Sequence, residues 1–196
     1  QAEDVVVTLS QRGYIKRQPI STFRSQRRGG RGKLAMLTRE EDAVRHLLVV
    51  DTHDKLIFFT DRGRCFQVRA YELPDESRQA RGIPLINLIS LEQRERITAV
   101  VRCPPEMEHD YMLMATKLGE VKKTPLKNFA SVRRDGLIAM DLEAADEFVA
   151  AKLASDDDRA ILVTARGQAL RFPVRSLRSA SRHSGGVRGI KLAHGA

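Results

Sequence analysis

Four times along the chain an apolar run ends in Thr, and a Gly follows three to five residues later with a second run behind it. Val5–Thr8 leads to Gly13 and Tyr14–Arg17, and Leu56–Thr60 leads to Gly63 and Arg64–Val68. Met112–Thr116 leads to Gly119 and Glu120–Lys123, and Ala160–Thr164 leads to Gly167 and Gln168–Phe172. The four glycines lie 50, 56 and 48 residues apart. Each unit reads as a β-hairpin, with Gly taking the turn position that requires positive φ.

A second marker follows each hairpin: Arg31-Gly32, Arg81-Gly82, Asp135-Gly136 and Arg188-Gly189, 19, 19, 17 and 22 residues after the hairpin glycine. An apolar residue comes directly after or one place later, at Leu34, Ile83, Leu137 and Ile190. A third apolar run separates the units, at Leu47–Val50, Ile97–Val101 and Phe148–Ala151. Three to four short strands per unit of about fifty residues predict blades of a propeller. The repeats fall at 1–45, 46–96, 97–147 and 148–196, within one all-β domain. The runs are short and rich in Val, Ile, Phe and Thr, which excludes helices nearly throughout. Thr38 and Glu41 resemble a capping box, but the repeat register predicts a strand from about Val44 instead.

Charge follows the same period. The 196 residues carry 34 Lys+Arg against 25 Asp+Glu, a net charge of +9. Windows 12–33, 62–83, 117–137 and 166–191 hold 26 of the basic and 5 of the acidic residues; the rest of the chain holds 8 and 20. Basic and acidic stretches therefore alternate in step with the repeat. If the repeats are blades, the basic windows stack into a positive band, the footprint of a polyanion that is bound by displacing counterions from phosphates. Aromatic residues make up 5% and Trp is missing, so stacking platforms for single strands are poorly supplied. Duplex DNA, contacted through its backbone and bent along the band, fits better.

The first window contains Gln26-Arg27-Arg28-Gly29-Gly30-Arg31-Gly32-Lys33. Its glycines let the backbone approach phosphates and its cations supply donors to them. This octet resembles the signature box of the C-terminal domain found in the A subunit of DNA gyrase, a type IIA topoisomerase. The resemblance extends over Thr8–Pro19, Leu47–Phe59 with Thr52-His53-Asp54, Tyr71–Pro74, Ala80-Arg81-Gly82, Ile86–Leu88, Leu91–Gln93, Glu95–Thr98 and Gly186–Ile190. It implies a propeller-like β-pinwheel disc of about six blades, of which four repeats are visible here. It also implies that the domain wraps double-stranded DNA around a basic rim, so that the holoenzyme introduces negative supercoils with ATP. The implied partners are the remainder of the gyrase A protein and the gyrase B protein in an A2B2 assembly, in a bacterial cytoplasm at the nucleoid. ATP and Mg would be used elsewhere in that assembly, and this domain would need no cofactor of its own. The chain opens without Met and shows fewer repeats than the family, so it reads as a piece of a longer protein.

The residues expected to meet DNA are Gln26, Arg27, Arg28, Gly29, Gly30, Arg31, Gly32 and Lys33 of the box, and a rim. The rim comprises Arg12, Lys16, Arg17, Arg24, Arg62, Arg64, Arg69, Arg78, Arg81, Lys117, Lys122, Lys123, Lys127, Arg133, Arg134, Arg166, Arg171, Arg175, Arg178, Arg182 and Arg188. The five His show no metal-ligand spacing, and Asp156-Asp157-Asp158 reads as a solvated turn. Cys65 and Cys103 are too few for a disulfide framework or a zinc site and suit a reducing compartment. No nucleophile and base are placed together by any spacing, Tyr14, Tyr71 and Tyr111 included, so no catalytic residue and no metal site is expected. No apolar run is long enough for a membrane span. Competing readings are the C-terminal domain of the equivalent topoisomerase IV protein, which lacks an intact box, and a propeller scaffold that binds proteins through its acidic connections. An enzyme acting on a polyanionic substrate ranks below both.

Overall fold

The computed structural model describes residues 1–23, 42–77, 79–106 and 108–189. Among them every extended element is a strand and every helical one a short 3-10 turn. The strands are β1 (Asp4–Ser10), β2 (Tyr14–Pro19), β3 (Val44–Asp51), β4 (Lys55–Thr60), β5 (Arg64–Arg69), β6 (Ile83–Pro84) and β7 (Ile97–Cys103). They continue as β8 (Tyr111–Thr116), β9 (Glu120–Pro125), β10 (Leu137–Ile138), β11 (Phe148–Ala154), β12 (Arg159–Val163), β13 (Ala169–Pro173) and β14 (Val187–Arg188).

The four hairpins stand where the glycines place them. Gly13, Gly63, Gly119 and Gly167 have φ between 76° and 93°, a region L side chains rarely adopt. The residue three before each glycine closes the turn. Its carbonyl accepts from the glycine N–H, and its hydroxyl accepts from the N–H after the glycine: Ser10 for Tyr14, Thr60 for Arg64, Thr116 for Glu120 and Thr164 for Gln168. The marker in the first repeat is therefore Ser10 rather than Thr8, because β1 runs two residues further than its apolar letters suggest.

Sheet order reveals an exchange of strands. The sheets are β3-β1-β2-β6, β10-β5-β4-β7 and β11-β8-β9-β14, with a two-stranded β12-β13. The apolar run after each of the first three hairpins returns to pair with that hairpin's first strand. The two-residue strand after the second marker pairs instead with the preceding hairpin: Ile83 opposite Ile15, Leu137 opposite Cys65, Val187 opposite Val121. Each four-stranded sheet thus draws its last strand from the hairpin unit that follows. The register also moves the fourth marker. The strand at 187–188 puts Gly186, 19 residues after Gly167, in the place of Gly82 and Gly136. A Cβ on Gly82 would fall 2.4 Å from Ile15 O, and one on Gly186 would fall 2.8 Å from Val121 O, the residues two beyond the hairpin glycines.

Packing divides the chain into two compact units: Gln1–Leu56 with Gln67–Ser90 and Arg102–Pro105, and Ile57–Phe66 with Leu91–Val101 and Glu106–Ala196. The first buries Val5, Val7, Ile15, Leu73 and Leu85. The second buries Phe58, Phe59, Phe66, Met112, Met114 and Phe148, and the Phe59 ring stacks on Phe148 at 4.9 Å with an edge contact to Phe129 at 6.2 Å. Removing aliphatic and aromatic surface of this kind from water stabilises each unit by about 25 cal/mol per Å². Strand β3 begins at Val44, as the repeat register predicts.

Candidate nucleic-acid interface

Over the described residues the basic windows map onto one recurring piece of structure: the turn glycine, the second hairpin strand and a 3-10 turn, followed in windows 62–83, 117–137 and 166–191 by the segment leading to the short exchanged strand. Alternation along a strand sends neighbouring side chains to opposite faces. Cations inside a window are therefore divided between interior and solvent, and window charge alone does not say which go where.

Three of the expected rim cations, Lys16, Lys122 and Lys123, are in the interior. Lys16 Nζ donates to the carbonyls of Ser77 at 3.2 Å and Ala80 at 2.8 Å. Lys122 Nζ donates to Ala139, Arg182 and Ser184 carbonyls at 2.7, 2.6 and 2.7 Å. Burial holds Lys16 below the ordinary lysine range and lowers Lys122 to about 8, with the nearby Arg182 charge acting in the same direction on Lys122. Lys123 lies 2.9 Å from Asp156 Oδ1, donates to Val174 O and covers the Tyr111 ring at 4.4 Å. Lys16 occupies a buried position of β2, and β9 is covered on both faces, so the neighbours Lys122 and Lys123 are both enclosed although their side chains leave the strand on opposite sides.

Others are engaged at the surface. Arg64 Nη1 donates to Glu95 at 2.8 Å, and that carboxylate is fully buried. Arg62 pairs with Glu92 at 2.7 Å and donates to Gln93 O; Arg175 pairs with Asp157 at 2.6 Å. Arg182 spends its guanidinium on the carbonyls of Asn128 and Ile138. Arg81 is exposed and stacks over Tyr14 at 4.1 Å, and Arg188 is exposed on β14. Arg17 is half-buried, whereas Arg12, Arg134 and Arg166 are exposed. Arg69, Lys117, Lys127, Arg133, Arg171 and Arg178 are exposed with no side-chain hydrogen bond or ion pair among the described residues. The box Gln26–Lys33, Arg24 and Arg78 lie outside the described residues.

The acidic connections have a structural use that charge counting misses. The residue two before each return strand reaches back to the hairpin turn: Asp42 accepts from Arg12 N, Asp146 from Leu118 N, and Glu95 from the Thr60 hydroxyl at 2.7 Å. The next carbonyl accepts from Gln11, Asp61 or Lys117 N–H. At the other end of the return strands Asp54, Asp110 and Asp158 accept, through their carbonyls, from the first residue of the 3-10 turns at Ala70, Leu126 and Val174. The Asp158 carboxylate also accepts from Ser155 N, closing the turn at Asp156–Asp158. The acidic residue stands at a fixed offset of two from the first residue of each return strand, Val44, Ile97 and Phe148, and not from the apolar letters alone, because β3 begins three residues before Leu47. Among the described residues no group of three or more His, Cys, Asp or Glu could hold a metal ion, and no helix is long and apolar enough to cross a membrane.

The family model "DNA gyrase C-terminal domain, beta-propeller" matches residues 4–51, 54–104, 110–155 and 158–194. The chain belongs to that family. Each of the four matched segments starts within a few residues of a hairpin's first strand, so the family's repeat and this chain's hairpin units coincide. The DNA gyrase A protein of Dehalogenimonas lykanthroporepellens is 47% identical over 191 residues, covering 97% of this chain and 24% of that protein. The chain thus spans about a quarter of the length of that curated relative. A solved structure of a DNA gyrase A C-terminal domain is similar with a TM-score of 0.81 at 27% identity, over 98% of this chain and 62% of that one. The C-terminal domain of a DNA topoisomerase IV is similar with a TM-score of 0.77 at 27% identity, over 100% of this chain and 59% of that one.

Proposed function

We propose that this chain is the DNA-binding and DNA-wrapping module of a DNA gyrase A protein, and that it supports ATP-dependent negative supercoiling by the holoenzyme. The observation that carries the reading is the family match in four segments between residues 4 and 194. The solvent-facing cations of the basic windows support it, because exposed charges in phase with a structural repeat are what a sequence-independent hold on phosphates requires. The topoisomerase IV reading is set aside, since the family model and the 47% identical relative both carry the gyrase name.

In this reading the chain contributes binding and bending and no catalytic residue. ATP, Mg and strand cleavage are handled elsewhere in an A2B2 assembly with the gyrase B protein, in the bacterial cytoplasm. Duplexes of increasing length, labelled at both ends with a fluorophore pair, test it. The expected result is a shift in gel mobility together with closer ends on the bound duplex, the bend costing about 1–6 kcal/mol over 20–30 base pairs. Binding with unchanged end distance would remove wrapping; no binding at low salt would remove the DNA reading and leave the protein scaffold.

A further inference from the structure

The residue three after the hairpin glycine is buried in all three four-stranded sheets: Lys16 after Gly13, Phe66 after Gly63 and Lys122 after Gly119. In the second sheet the apolar ring packs where the exchanged strand arrives, close enough that a Cβ on Gly136 would fall 2.5 Å from Phe66 Cε1. The two lysines meet the arriving strand with an ammonium instead. Ala80 and Ser184, whose carbonyls they hold, each stand two residues before the glycine that opens β6 or β14. Lys122 uses its three donors on three carbonyls and on no carboxylate.

Burying an ammonium is costly even with Glu76 acting on Lys16 and Asp141 acting on Lys122, and an unbranched apolar side chain would fill the same space at less expense. What three convergent donors do, and a methyl group does not, is fix several carbonyls in one geometry. The segments so fixed end in Arg81 and Arg188, both exposed. We propose that Lys16 and Lys122 are positioning residues, whose buried ammonium groups hold the segments entering β6 and β14 and thereby set where Arg81 and Arg188 stand toward bound DNA. The functional half of this assignment rests on the DNA reading above; the clamp itself does not.

Lys122→Met in the 196-residue chain tests it, read first by amide hydrogen exchange without DNA. The expected result is exchange about ten- to hundredfold faster over 180–189, the loss of hydrogen bonds to a charged donor, with the hairpin 111–125 unchanged. On a doubly labelled duplex the variant is expected to bring the ends less close together while keeping the salt dependence of binding. The pH profile supplies a readout that needs no variant. Lys122 is faced by Arg182 ahead of β14, Asp141 beyond β10 and Cys65 on β5, and its value of about 8 puts deprotonation between pH 7 and 9. A neutral amine keeps two donors for three carbonyls, so bending by the parent chain should weaken across that range and be flat in Lys122→Met. Unchanged exchange in the variant overturns the clamp. Faster exchange with the parent's bending and pH profile overturns the positioning role. A chain that binds no duplex overturns the DNA reading, and the exchange data then still support or overturn the clamp by themselves. If Lys122→Met fails to fold, a flat parent profile between pH 7 and 9 overturns the positioning role.

Discussion

Glu95 and Arg64 form an ion pair at 2.8 Å in which the Glu95 side chain is wholly buried and the Arg64 side chain is 22% exposed. The same carboxylate accepts from the Thr60 hydroxyl and from Glu92 N, so Glu95 ties the hairpin turn, the acidic connection and a basic-window arginine into one network. Removing one partner of such a pair leaves a buried group unmatched. Glu95→Ala is expected to lower stability by about 3 kcal/mol, read as a fall in the urea midpoint. Arg64→Ala should likewise cost stability and leave DNA affinity nearly unchanged, because its charge is already neutralised within the protein. A large loss of affinity with an unshifted midpoint would place Arg64 on the DNA instead.

Two glycines with similar φ separate conformational strain from collision. Gly13 has φ 85° and nothing within 4 Å of a built Cβ; Gly136 has φ 79° and would drive its Cβ to 2.5 Å from the Phe66 ring. Gly13→Ala is expected to cost about 1–2 kcal/mol, the left-handed backbone alone. Gly136→Ala adds overpacking against a fully buried ring and should cost about 1–3 kcal/mol more. Thermal unfolding of the two variants side by side checks the order; equal shifts would mean that Phe66 moves aside freely.

The hairpins were legible in the sequence because both determinants are local: a glycine that must take positive φ, and a hydroxyl three residues before it that closes the turn. The exchange of β6, β10 and β14 was not, because two-residue strands carry almost no pattern of their own. Their register rests on the fit of Gly82, Gly136 and Gly186 against another hairpin, and this is why Arg188-Gly189 reads as a marker that the structure places three residues earlier. The basic windows were legible as charge, yet their division was hidden. Lys122 and Lys127 are the same residue type five positions apart, one enclosed by carbonyls and the other in solvent, and only the folded backbone brings Arg182 and Ser184 to the first.

The two thiols give a prediction on chemistry. Burial raises Cys65 to about 12 and Cys103 to about 11, since the apolar surroundings disfavour the thiolate. At pH 8 the reactive thiolate is then about one part in ten thousand for Cys65 and about one in a thousand for Cys103. An alkylating reagent should therefore leave both unmodified in the native chain and label both after denaturation. Labelling in native buffer, followed by mass spectrometry, would show directly if either β5 or β7 opens.

Salt dependence separates cations that face DNA from those that serve the fold. Lys127 and Lys123 both belong to the third basic window, but Lys127 is exposed with no partner among the described residues, whereas Lys123 is enclosed by Asp156, Val174 O and the Tyr111 ring. Each phosphate that a cation neutralises contributes about 0.9 to the slope of log K against log salt, through release of a condensed counterion. Lys127→Ala is expected to reduce that slope by about 1 and weaken binding alike on all duplex sequences. Lys123→Met should leave the slope where it is and lower the unfolding midpoint, because what it loses is an internal ion pair and a cation–π contact. Titrations from about 50 to 200 mM salt on the parent and both variants decide the matter. If Lys123→Met takes the larger share of the slope, the enclosed lysine reaches phosphate in the complex, and the division of the basic windows argued from the free chain fails.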